Sequence, residues 1–293
     1  MNAFLRKMEI RSTMMSLNKN NYLCNLFSTA MLLSFLLYLL QLFMFNLLTW
    51  NVRGIISSTL PVCAMLDKSK CDVAIISEHK LNKFSANYFD SIHSEYFSVL
   101  KIQCNSSSEH YVHPTRGRGG VALLLKKSLR FSVKQIEGIQ TDCIVGVEIS
   151  LHCNTPVFVF GVYLPYDNDI TNYKSVIDIM YSLYSYHSHY GTVIFAGDFN
   201  ASVLRELHTN NVKSDILCNF VDQCNLLTPL IDFEVHGESF SFVPKQTMLD
   251  YILVNNNIDV HHYELLEEGS ISSTSDHLLI VCTLDIHFAR TMC

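Results

Sequence analysis

No two of the ten cysteines stand in the CxxC spacing of a zinc site or a redox motif. Several sit inside apolar runs instead, as in Asp142-Cys143-Ile144-Val145-Gly146 and Ile280-Val281-Cys282-Thr283. That pattern fits buried free thiols in a reducing compartment. A positive charge balance is also missing. The net charge is −6, so composition makes no overall case for a nucleic-acid partner. The chain is not short of apolar residues either, at 49%, which supports a sizeable core and argues against disorder. No internal repeat is visible, and no linker divides residues 45–286.

The charge that is present is uneven. Residues 101–134 carry Lys101, Arg116, Arg118, Lys126, Lys127, Arg130 and Lys134 against the single acid Glu109. Residues 222–268 carry nine acids against Lys245. Such asymmetry either marks one face for a polyanion or separates two solvated faces of opposite sign.

The N-terminus differs from the rest. No charged residue occurs between Lys19 and Arg53, and Leu26–Phe45 is apolar except for Ser28, Thr29, Ser34 and Gln41. A helix of that length would span roughly 30 Å, the core of a bilayer. With Arg6, Lys7, Arg11 and Lys19 in front, the positive-inside rule would carry the domain beyond it out of the cytoplasm. That placement would expose the sequon Asn200-Ala201-Ser202 and fits poorly with scattered thiols. The expectation is therefore an apolar N-terminal extension over residues 1–44 that does not anchor the protein. This implies a nuclear or cytoplasmic protein, with a single-pass membrane protein as the alternative.

From Phe45 onward, short runs rich in Val, Ile and Phe alternate with helix-length segments. Strands are expected at 45–51, 72–77, 120–125, 131–135, 143–151, 156–163, 192–198, 240–243, 248–254, 258–266 and 278–284. Helices are expected at 59–70, 170–190 and 214–225. Helix-linked and hairpin-like strand orders both occur, which argues for a layered α/β domain with mixed sheets.

Polar residues gather where these strands end, the usual place for a site in such proteins. Trp50-Asn51 closes the first strand, and Glu78 comes directly after Asp72–Ser77. A carboxylate at the mouth of an apolar strand is costly unless paired or bound to a hard cation such as Mg²⁺. Tyr163 ends a strand in Val162-Tyr163-Leu164-Pro165 and could donate to a phosphate oxygen. In Gly197-Asp198-Phe199-Asn200 the carboxylate and the amide share a side if the backbone stays extended. Asp250 interrupts the apolar Leu249–Leu253 and needs a partner. His277 in Ser275-Asp276-His277 offers one, a carboxylate–imidazole unit that leaves Asp276 for a metal.

These six markers, in this order, resemble the endonuclease/exonuclease/phosphatase superfamily over about residues 46–286. Within it, Tyr163, the segment Arg116-Gly-Arg-Gly-Gly-Val-Ala-Leu-Leu-Leu-Lys-Lys, and Phe240-Ser-Phe-Val look like the apurinic-endonuclease and LINE-type retrotransposon branch. The resemblance implies a DNase I-like four-layer sandwich of two mixed sheets with outer helices. It implies a Mg²⁺-dependent phosphodiesterase, with Mn²⁺ as a substitute ion, that nicks DNA as a monomer without a small-molecule cofactor. Glu78 would bind the metal with Asn51 and Asp276. Asp198 would activate the attacking water or protonate the leaving group, Asn200 and Tyr163 would hold phosphate, and Asp250 would orient a cationic His277. Arg116, Arg118, Lys126 and Lys127 would bind the DNA. Two alternatives remain: the same chemistry on inositol phosphates, sphingomyelin or RNA, and an inactive nucleic-acid-binding relic. His79 and Leu279 depart from the family's usual residues, which bears on local shape. No reverse transcriptase is seen after the domain, so a solitary endonuclease-like domain is expected, with residues 287–293 as a tail.

Overall fold

The apolar runs are buried on both faces of two β-sheets. The computed structural model describes residues 43–103, 117–129, 132–150, 155–204, 211–232, 235–255, 258–266 and 275–286. In chain order the strands are β1 (Phe43–Asn51), β2 (Val73–Ser77), β3 (Tyr96–Gln103), β4 (Arg118–Lys126), β5 (Ser132–Gln135), β6 (Ile144–Ser150), β7 (Val157–Tyr163), β8 (Thr192–Asp198), β9 (Leu226–Leu227), β10 (His236–Gly237), β11 (Asp250–Asn255), β12 (Asp259–Leu265) and β13 (Ile280–Ile286). The longer helices are α1 (Ile55–Ser69), α2 (Ile170–His187) and α3 (Val212–Gln223).

One sheet has the order β10-β12-β13-β1-β2-β4-β3, the other β5-β6-β7-β8-β11-β9. Both are mixed: β1 runs parallel to β2 and β7 parallel to β8, while β1–β13, β2–β4 and β8–β11 are antiparallel. The strand period of two sorts the side chains into layers. Leu47, Val73, Ile75, Val121 and Leu123 face the second sheet, in one core with Val145, Val159 and Ile194. Their neighbours Leu48, Trp50, Ala74, Ile76 and Leu124 face outward and pack with Ile55, Val62, Met65 and Leu66 of α1. On the far side, α2 and α3 bring Tyr173, Val176, Met180, Leu217 and Phe220 into the main core. Each fully buried side chain of this kind contributes roughly 1.5–3 kcal/mol. The result is helix, sheet, sheet, helix.

Several boundaries differ from expectation. The helix expected over residues 59–70 starts at Ile55, because Ile55 N–H donates to His79 O (3.0 Å) and Ser58 Oγ to Val52 O (2.9 Å). Its first turn is thus tied to the ends of β1 and β2, where the expected site residues Asn51 and Glu78 stand. The strand expected at 240–243 is absent. Phe242 makes only isolated bridges to Thr247 and His277, and Val243–Lys245 forms a 3₁₀ turn. Pro244 cannot donate to a ladder, and Gln246 turns the chain with φ 48°. β3 was not anticipated, although Tyr96-Phe-Ser-Val-Leu-Lys-Ile-Gln is rich in strand-forming residues.

The apolar N-terminal helix expected up to residue 45 reaches the described residues only at its end, and there the chain is a strand. Phe43, Met44 and Phe45 belong to β1, paired with Ile286, Asp285 and Leu284 of β13. The rest of that segment lies outside the described residues, as does Arg116. No helix among the described residues is long and apolar enough to cross a membrane. Cys63, Cys71, Cys143, Cys218, Cys224 and Cys282 are free thiols, and all but Cys63 are buried.

Candidate active site

The C-terminal ends of β1, β2, β7 and β8 meet the start of β11 and the 275–279 segment. Backbone bonds knit these ends together. Leu164 N–H donates to Asp198 O (2.9 Å), Phe199 N–H to Leu249 O (2.8 Å) and Leu278 N–H to Ser241 O (2.7 Å). Trp50 Nε1–H donates to His277 O (2.9 Å), and Ser275 Oγ to Asn51 O (2.5 Å). The indole of Trp50 therefore ties down the backbone at His277.

Asp198 is at the centre and is 1% exposed. Its Oδ2 accepts from Asn51 Nδ2 (2.8 Å), and its Oδ1 accepts from Asn200 N–H (2.8 Å). Burial, reinforced by the Asp250 charge, pushes its carboxyl up to about 7 against the opposing pull of His277, Asn200 and Asn51. The expected extended geometry of Asp198 and Asn200 does not occur. Asn200 sits at φ 49°, so the two residues meet through a tight turn. Asn200 Nδ2 donates to Leu164 O (2.9 Å), which ties that turn to the end of β7. Gly197 allows the turn. Its φ is +144°, and a Cβ there would stand 1.9 Å from Val162 O.

Asp250 is fully buried, and its Oδ2 lies 2.7 Å from His277 Nδ1. Asp250 Oδ1 is buried without a hydrogen-bond partner. Ser241 Oγ accepts from the N–H groups of Leu249 and Asp250, which fixes the start of β11. Burial alone would lower the His277 pKa. The Asp250 charge and hydrogen bond, with Asp198 and Asp276 behind them, win and bring it up to about 9. Phe242 covers the ring at a centroid distance of 5.0 Å. Ligand atoms of Asp198, Asp250 and His277 lie within 4.8 Å of one another, so the trio could hold a cation. An imidazolium, however, has no lone pair to offer a metal.

The remaining expected residues form two ion pairs. Glu78, at φ 53°, pairs through Oε1 with Lys80 Nζ at 2.6 Å. Asp276 Oδ2 pairs with Arg53 Nη1 at 3.0 Å. Asn51 Oδ1 accepts from Arg53 N–H (3.0 Å) and keeps a second lone pair. Tyr163 is 6% exposed. Burial, then the charges of Glu78 and Asp198, hold its phenol well above the usual range, so it stays a donor. Gly119, at φ +52°, makes room for that ring, since a Cβ would stand 2.7 Å from Tyr163 Cε1.

The basic segment is split by the fold. β4 runs antiparallel to β2, with Val121 opposite Ser77 and Leu125 opposite Val73. Exposed Arg118 therefore stands at the Glu78 end. Lys126 lies eight residues along the strand, roughly 26 Å away. Lys126 Nζ donates to Lys70 O, and Lys127 Nζ to Ser94 O. The structure does not bring these two lysines to the site.

Residues 48–277 match the endonuclease/exonuclease/phosphatase family. The chain belongs to that family. Members generally use divalent metals and act as phosphodiesterases, nucleases or phosphatases, so an enzyme of this class is the general expectation met by the match. No curated protein matches the sequence. Among solved structures, the chain is similar to the endonuclease domain of TRAS1, a telomere-specific non-LTR retrotransposon. Identity is 15% and TM-score 0.60, covering 83% of this chain and 99% of that one. It is similar to the AP endonuclease LMAP from Leishmania major, at 16% and 0.61, covering 83% and 88%. It is also similar to D. rerio TDP2 complexed with a single-strand DNA product, at 15% and 0.58, covering 82% and 98%. At these identities the likeness is one of fold.

Three residues beside the candidate site are absent from the sequence expectation. Arg53 and Lys80 flank the expected metal ligands, and their cationic chemistry beside Asn51 and Glu78 was the available signal. Lys213, 8% exposed, donates from Nζ to Pro165 O (2.8 Å) and Asp167 O and pins the loop after Tyr163. Nothing local in the sequence pointed to it. His79 is structural. Its Nδ1 accepts from Leu81 N–H (3.0 Å), so Nε2–H donates to Lys101 O (3.0 Å), and burial lowers its pKa to about 4.

Proposed function

We propose that the chain is a divalent-metal-dependent phosphodiesterase that nicks DNA and leaves 3′-hydroxyl ends, in the manner of LINE-type endonucleases. The observation that carries this reading is the 2.7 Å His277–Asp250 pair beside Asp198, which Asn51 and Asn200 hold from two sides. Asp198, in its carboxylate form, takes a proton from water as the water oxygen bonds to phosphorus. The P–O3′ bond breaks, O3′ takes a proton from solvent water to leave as the 3′-hydroxyl, and Asp198 returns the proton it took to solvent. His277, as imidazolium, stabilises the negative charge that builds on the phosphoryl oxygens. Tyr163 and Asn200 donate to the phosphate. Glu78, Asp276 and the Asn51 carbonyl are hard oxygen donors that suit Mg²⁺ or Mn²⁺. The ion held there supplies Lewis-acid stabilisation of the same charge.

Arg118, exposed at the Glu78 end of β4, supports DNA as substrate. The domain is assigned to residues 45–286, as a monomer, in the nucleus or cytoplasm. The net charge of −6 favours a second reading, the same chemistry on an inositol phosphate, sphingomyelin or RNA. One assay separates them. The full chain should relax supercoiled plasmid in Mg²⁺ and stop in EDTA. Hydrolysis of an inositol phosphate with intact plasmid would promote the second reading. Folded protein without activity on either would point to a binding relic.

A further inference from the structure

The two carboxylates assigned to the metal are already neutralised from within the chain. Lys80 Nζ stands 2.6 Å from Glu78, and the two side chains are only 17% and 20% exposed, so solvent screens the pair poorly. Arg53 holds Asp276 by one nitrogen at 3.0 Å, with its side chain half exposed, and a guanidinium carries further donors. The main chain at both cations is fixed. Arg53 N–H donates to Asn51 Oδ1 (3.0 Å), Lys80 N–H to Gly119 O (2.8 Å), and Gly117 N–H to Lys80 O (2.8 Å). Only the side chains can reorient. Both residues also sit at positive φ, 52° and 56°, a cost that tends to persist at functional sites.

We propose that Lys80 and Arg53 are phosphate-binding residues held on the metal-ligating carboxylates until a divalent cation displaces them. This rests on the reading of the site as a metal-dependent phosphodiesterase. The two pairs sum to zero charge. A cation that takes Glu78 and Asp276 leaves two positive side chains unpaired, so metal alone binds against resistance. A phosphodiester then meets both freed cations. Metal and phosphodiester therefore bind cooperatively, each tightening the other by the same factor.

The test is Mn²⁺ binding to the full chain, followed by the electron paramagnetic resonance of free Mn²⁺. It is run alone, with a short phosphorothioate duplex that resists hydrolysis, and with diethyl phosphate. Wild type should bind Mn²⁺ on the order of tenfold tighter with either phosphodiester. Lys80→Met and Arg53→Met should each bind Mn²⁺ alone more tightly than wild type and show less coupling. Lys80→Gln, a smaller neutral variant, should behave as Lys80→Met does. Circular dichroism verifies folding in each. Unchanged or weaker Mn²⁺ binding in all three folded variants would overturn the inference, as would uncoupled binding in wild type. Coupling to diethyl phosphate but not to the duplex would sink the DNA reading and leave the ion-pair inference standing.

Discussion

Replacing Asp250 by Asn tests the centre of the site with nearly unchanged volume. In the native chain His277 is 8% exposed, and its pKa rises from 6.5 to about 9 because the Asp250 carboxylate lies 2.7 Å from Nδ1. That rise corresponds to about 3 kcal/mol favouring the imidazolium. Without the carboxylate, burial dominates and His277 should titrate below 6.5. At pH 8 the native ring is charged and the variant ring is neutral, so activity should fall by on the order of 10²-fold or more. The native pH profile should rise as Asp198 ionises near 7 and fall as His277 loses its proton near 9. In Asp250→Asn the alkaline limb should move to the acid side. The stability effect has a definite sign. A raised folded-state pKa gives stability that is fully present below 6.5 and is lost as pH rises through about 9. The variant should thus be destabilised near pH 6 by up to about 3 kcal/mol, with a smaller deficit at pH 10. Proton NMR of the His277 ring reads the titration without reference to activity. A ring that still titrates near 9 in folded Asp250→Asn would refute the reasoning.

Asp198→Ala and His277→Ala should each cost on the order of 10²-fold in rate, and the double variant less than the product, if both act on one transition state as proposed. Steady-state kinetics on folded protein decides this, and an undiminished single variant removes that residue from the site. Arg118→Ala should make DNA binding less salt-dependent, by about 0.9 in log–log slope if it contacts one phosphate. The pair Lys126→Ala and Lys127→Ala should leave the slope unchanged, and a large change there would mean DNA runs along β4. Gly197→Ala should destabilise the fold by at least ~3 kcal/mol in urea unfolding, because the added Cβ meets a backbone carbonyl at a positive φ. A mild effect would show that the turn can relax.

The sequence by itself determined the layers and named most of the residues that the candidate site brings together. Strands such as Thr192–Asp198 are apolar at nearly every position, which demands cover on both faces, and the polar residues at 51, 78, 163, 198 and 200 stand at or just past strand ends. Asp250, buried in an apolar strand, signalled that a partner had to exist, and His277 is that partner. These inferences work because period and burial are local properties. Tertiary structure decided the rest. Arg116 to Lys127 reads as one basic patch, but a nine-residue extended strand carries Arg118 and Lys126 to opposite ends of the sheet. Arg53 and Asp276 are far apart in sequence, and only the packing of β1 beside the 275–279 segment makes them an ion pair. The Asp198 pKa near 7 likewise belongs to no motif. It comes from burial and from Asp250 on the neighbouring strand, where antiparallel register sets the two carboxyl-bearing residues opposite each other.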